Sequence, residues 1–150
     1  MEVRPDLVVY GRDSQLVSAV EIRNKRGASR EWATQMRWNL LSHEIFRAAR
    51  FLLLATPDRV YLWKAAEGKP VPAPPDFEAD GRALFAPYVR RAGLSPETIS
   101  ANAFELIVGN WLSSLILGIE PAAGETQPWL VASGFLAAVQ GGRTEHQLAA

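Results

Sequence analysis

Asp6 stands at the start of one apolar run, DLVVY, and Glu21 stands inside the next, LVSAVEIR; fourteen residues separate the two acids. Arg23 and Lys25 follow Glu21 at spacings of two and four. Strand side chains alternate between faces, so Glu21, Arg23 and Lys25 share one face while Val20, Ile22 and Asn24 share the other. Residues 11–15 (GRDSQ) have the Gly, Asp and Ser of a hairpin loop, and a hairpin brings the Asp6 carboxylate near that of Glu21. Two carboxylates a few ångströms apart repel unless a proton or a cation lies between them. Hard oxygen donors of this kind suit Mg²⁺ or Mn²⁺. A cationic side chain beside such an ion suits phosphoryl chemistry, where it orients a water and neutralises charge growing on the phosphate oxygens.

These residues need a frame to hold them. Residues 6–10 and 16–23 are rich in Val and Ile and read as two antiparallel strands. Residues 25–29 (KRGAS) break the pattern, and Ser29 is placed to cap a helix running to about Ala49. In that helix Trp32, Met36 and Leu40 form one stripe and Trp38, Leu41 and Ile45 a neighbouring one, the wide apolar face of a helix laid on a sheet. Residues 51–55 (FLLLA) form a short apolar run, residues 56–58 (TPD) turn the chain, and residues 59–64 (RVYLWK) alternate as a further strand. The order strand, strand, helix, strand, strand predicts an α/β domain with a mixed β-sheet and packed helices.

The arrangement Pro5-Asp6, then Glu21-Ile22-Arg23, resembles the PD-(D/E)XK nuclease superfamily, with its restriction-endonuclease-like core. The resemblance covers residues 5–64. It implies a Mg-dependent endonuclease acting on DNA, with Asp6, Glu21 and the main-chain carbonyl of Ile22 as metal ligands. It further implies that the motif's cationic residue lies near the scissile phosphate, and that a Gln on the next helix, matched by Gln35, completes the site. The chain departs from the pattern at Arg23, which stands where the family has Lys. Arginine stays protonated and is no general base, though it can clamp a phosphate with two N–H groups; Lys25 is the alternative source of an ammonium. The family's leading helix is also lacking before Asp6, with Glu2 the one acidic candidate there.

Four prolines in residues 68–75 (GKPVPAPP) exclude a regular element and mark a surface loop. A helical C-terminal part is expected over residues 94–139. Ser95-Pro96-Glu97 looks like a helix start and Gly118 like its end. Between them Phe104, Ile107, Val108, Trp111, Leu112 and Leu115 fall at helical spacing, as core or as a homodimer face. Residues 129–139 suit a last short helix, and the tail GGRTEHQLAA reads as poorly ordered.

The chain has 150 residues and no cysteine, which excludes disulfide and thiolate chemistry and makes a single cytoplasmic domain the expectation. No apolar run is long enough to span a bilayer, so no membrane partner is expected. His43 and His146 are the only imidazoles, too few for a zinc site. Net charge is zero but uneven, +4 over residues 1–64 and −4 beyond. A basic half can face a polyanion, and Arg26, Arg30 and Arg37 are candidates to meet phosphates. The same acids also admit a plainer reading, in which Glu21 pairs with Arg23 in a catalytically inactive nuclease-fold module that binds or assembles, dimerising through its C-terminal helices.

Overall fold

A computed structural model describes residues 4–65, 72–119 and 123–146. The N-terminal hairpin forms as the sequence suggests: β1 (Leu7–Tyr10) pairs antiparallel with β2 (Leu16–Ile22). Its loop is closed by the Gly11 and Ser14 amides, each donating at 2.9 Å to a carbonyl across the turn, and by the Asp13 carboxylate on the Gln15 amide. Helix α1 (Arg30–Leu40) is capped by Ser29, whose hydroxyl accepts from the Trp32 amide.

The helix expected to run on to Ala49 stops at Leu40, and α2 (Glu44–Ala48) follows after a short turn. At the break the Ser42 hydroxyl and the Arg47 guanidinium donate to the carbonyls of Asn39 and Leu41, an alternative to helical hydrogen bonding. The turn re-aims the chain so that Phe46 is fully buried, a tertiary gain invisible to a periodicity that continues smoothly through both helices.

Strands β3 (Phe51–Ala55) and β4 (Arg59–Lys64) follow as expected. The chain then adds a strand and a helix that local sequence signals do not announce, β5 (Phe77–Asp80) and α3 (Gly81–Arg91). Only Ala79 of β5 is buried, so its apolar signal is weak, and Pro87 inside α3 masks an otherwise readable stripe of Leu84, Phe85, Tyr88 and Val89. Asp80 caps α3 directly, and Gly81 fits where a Cβ would come within 2.9 Å of the Thr56 and Pro57 carbonyls.

Helix α4 (Ala101–Leu117) begins at Ser100, not at Ser95, because residues 95–98 close only an isolated turn. Gly118 ends it in the left-handed conformation (φ 67°). Short helices α5 (Ala123–Thr126), α6 (Pro128–Ala132) and α7 (Phe135–Val139) lead to β6 (Arg143–His146). Here residues 143–146 of the tail correct the expectation of disorder, since β6 pairs antiparallel along the whole of β1, while residues 147–150 lie outside the described part. Main-chain hydrogen bonds hold it without an apolar sequence. Of the proline-rich stretch, residues 72–75 are irregular, while residues 66–71 lie outside the described part, as does Glu2.

The strand order is β5-β4-β3-β2-β1-β6, with β2 and β3 parallel and every other pair antiparallel. The fold is therefore α/β with a six-stranded mixed sheet. The larger core covers one face, where Val20, Ile22, Leu53 and Leu62 meet Phe85, Phe104, Trp111 and Leu112. The other face, under α1 and α2, holds Ala19, Leu52, Leu54, Tyr61 and Trp63. The α4 stripe is thus core: Trp111 is 2% exposed, consumed within the chain, which corrects its use as a dimer face. Among the described residues no helix is long and apolar enough to cross a membrane.

Candidate functional site at the end of the first hairpin

The β1–β2 ladder fixes where the two acids lie. Leu7 is opposite Val20, so one step further places Asp6 opposite Glu21 and on the same face. Strand alternation puts that face with Ala19, on the side of the sheet that α1 and α2 cover. Asp6 is anchored where the ladder ends: its Oδ2 accepts from the Ile22 amide at 2.8 Å, standing in for a main-chain carbonyl. Glu21 is 2% exposed.

Arg23 joins the two acids. Its guanidinium forms an ion pair with Glu21 Oε2, lies 3.8 Å from Asp6 Oδ2, and donates to the Ile22 carbonyl at 3.3 Å. Glu21 Oε1 is buried and has no hydrogen-bond partner. Burial pushes the Glu21 carboxyl up to about 7; Arg23 opposes this and the neighbouring Asp6 carboxylate adds to it. Desolvation therefore outweighs a guanidinium in direct contact.

The remaining sequence-predicted residues are not brought to this point. The strand ends at Ile22, so alternation no longer governs Lys25, whose ammonium instead sits 5.4 Å over the Trp32 ring. Gln35 is on the outer surface of α1 and donates to Asn39 at 3.0 Å, one helical turn on. Arg30 binds Glu78 on β5, while Trp32 and Met36 pack against the smaller core. Arg26 lies 3.9 Å from Asp58 and also bonds the Pro96 carbonyl. Arg37 is 1% exposed beneath α1, over Trp63. Arg37 is thus enclosed, whereas Arg26 and Arg30 remain partly exposed beside an acidic partner. His43 precedes α2, edge-on to Phe46.

The donor types are ones that a divalent cation takes. Two carboxylates and the Ile22 carbonyl, all hard oxygens, converge at one strand end, and one buried carboxylate oxygen lacks a partner. Among the described residues no third acidic or imidazole side chain joins them. The contact that sequence reasoning missed is Trp32 under Lys25; an aromatic in the first turn after a basic loop was its only signal. No protein-family model, no curated protein and no solved structure matches this chain.

Proposed function

We propose that this chain is a metal-dependent phosphodiesterase of PD-(D/E)XK type that acts on DNA. The observation that carries the reading is the convergence of the Asp6 carboxylate, the buried Glu21 carboxylate with its unpartnered oxygen, and the Ile22 carbonyl. A carboxylate at 2% exposure inside a strand is expensive for folding alone, since burying charge is repaid only by close compensation. Asp6, Glu21 and the Ile22 carbonyl would hold Mg²⁺ or Mn²⁺, which when bound activates water and offsets charge on a backbone phosphate. Arg23 is aimed at the same place and supplies a planar pair of N–H donors that fits a phosphate. It holds and orients the phosphate and takes no proton, because its guanidinium does not titrate in the accessible range. Asp6 is kept in position by the Ile22 amide, so the strand end itself sets the geometry.

Nicking of plasmid DNA in Mn²⁺ tests this. Wild type is expected to cut, and Glu21→Gln and Asp6→Asn to lose cutting while keeping the wild-type circular dichroism spectrum. Retained cutting in both variants would overturn the reading. One observation favours a second reading, a nuclease-fold module that binds without cutting: Arg23 already reaches both carboxylates. DNA binding by the wild type without metal-dependent cutting would select it.

A further inference from the structure

Arg23 touches the same groups that the proposed function assigns to a cation: Glu21 Oε2, Asp6 Oδ2 and the Ile22 carbonyl. We infer that the Arg23 guanidinium is a built-in counter-ion that must be displaced when a divalent cation loads, so that metal entry and release of the guanidinium are one event. The inference rests on the metal-dependent reading and names the regulation of that same site.

The two sides of the contact are unequally mobile. Glu21 is 2% exposed and Asp6 is tied to the Ile22 amide, so the oxygens stay where the strands put them. Arg23 is 39% exposed, with a long side chain that can turn to solvent. A guanidinium and a divalent cation cannot share these oxygens, because like charges at contact distance repel strongly where burial lowers the dielectric. Lysine at this position could relieve the conflict by shedding a proton; arginine cannot. Departure of the side chain is the only relief left, and it places the freed fork at the edge of the site, where a phosphate of the substrate would lie. The substitution that separates this chain from the family's motif therefore makes cation affinity a competition.

The test is calorimetric titration of Mn²⁺ into the purified chain, at one pH above neutrality, paired with thermal melts. Arg23→Gln is expected to bind Mn²⁺ at least about ten-fold more tightly than wild type, the size of effect that removing one adjacent positive charge has on a divalent ion. Without metal it should melt lower than wild type, because Glu21 has lost its partner, and Mn²⁺ should raise its melting point by more than it raises that of wild type. Glu21→Gln should bind none. If Arg23→Gln binds Mn²⁺ no more tightly than wild type, the displacement idea is overturned while the metal site stands. If neither protein binds Mn²⁺, the metal-dependent reading falls as well. Should Arg23→Gln fail to fold, Arg23→Lys serves: one ammonium cannot span the three contacts, so Mn²⁺ affinity should exceed that of wild type, and an affinity at or below it overturns the inference.

Discussion

On one face of the sheet, α3, α4, α6 and α7 press a largely apolar layer against the strands, with the Tyr88 and Ser114 hydroxyls hydrogen-bonded to each other inside it. Phe85 stacks edge-on to Phe104 at 5.4 Å and to Trp111 at 5.7 Å, with Leu112 and Leu130 fully enclosed. On the other face, α1 and α2 bury a smaller set, and the two buried charged side chains among the described residues, Glu21 and Arg37, lie there. The contrast assigns different work to the two sides. The thick face supplies the burial that holds the sheet together, since enclosed apolar area is the dominant favourable term. That leaves the thin face able to tolerate groups that weaken packing. Its two charges also differ from each other: Glu21 has a guanidinium and a second carboxylate around it, whereas both terminal nitrogens of Arg37 lack hydrogen-bond partners.

The comparison can be broken from either side. The largest effect is expected on the thick face, where Leu112→Ala leaves a cavity in a fully enclosed position and should lower stability by about 2–5 kcal/mol in urea unfolding. Mn²⁺ binding in that variant should match wild type under conditions where it stays folded; a matching loss would mean that the two faces are not independent.

A smaller change of opposite sign is expected at Arg37. Its guanidinium is desolvated, faces the Trp63 ring at 5.9 Å, and has its pKa lowered mainly by burial. Arg37→Met keeps the length and removes the charge, so stability should rise by roughly 1 kcal/mol, the gain from removing a buried charge offset in part by the lost contact with the ring. A fall in stability would show that Arg37, unlike Glu21, is structural glue.

A third effect is a slope with pH. The folded-state pKa of Glu21, about 7, lies above the ordinary 4.5, so between those values the folded chain keeps a proton that the unfolded chain releases. The stability this group contributes is full below the lower value and is lost as pH rises through the upper one. The melting temperature should therefore show a downward component from Glu21 across that window, and Glu21→Gln should remove it. A wild-type profile that Glu21→Gln leaves unchanged would mean that Arg23 neutralises the carboxylate fully.

Local chemistry is what made much of this readable beforehand. The hairpin, the Ser29 cap, the apolar runs of β3 and β4 and the left-handed Gly118 each depend on a few neighbouring residues, and each appears where the sequence puts it. Elements whose formation depends on distant partners were unreadable. The break between α1 and α2 exists because Phe46 reaches the sheet, and β6 exists because β1 offers a free edge to a segment with no strand signal of its own. Gly142 shows how tightly that edge closes, since a Cβ there would meet the Tyr10 carbonyl at 2.0 Å.

The candidate site divides along the same line. Alternation and a hairpin are sufficient to put Asp6 opposite Glu21, because a ladder two strands wide is set by the turn and the apolar pattern. They also put Arg23 on that face. Whether Arg23 turns inward or outward, where Lys25 goes once the strand ends, and which flank of α1 Gln35 occupies depend on the packing of α1 across the sheet. That packing draws on Arg30 with Glu78 and on Arg37 over Trp63, contacts between residues far apart in the chain, and on Trp32 under Lys25. The sequence alone determined the pair of acids, and only the tertiary structure decided which cation reaches them, because strand pairing is set by near neighbours and side-chain direction by what the fold packs against it.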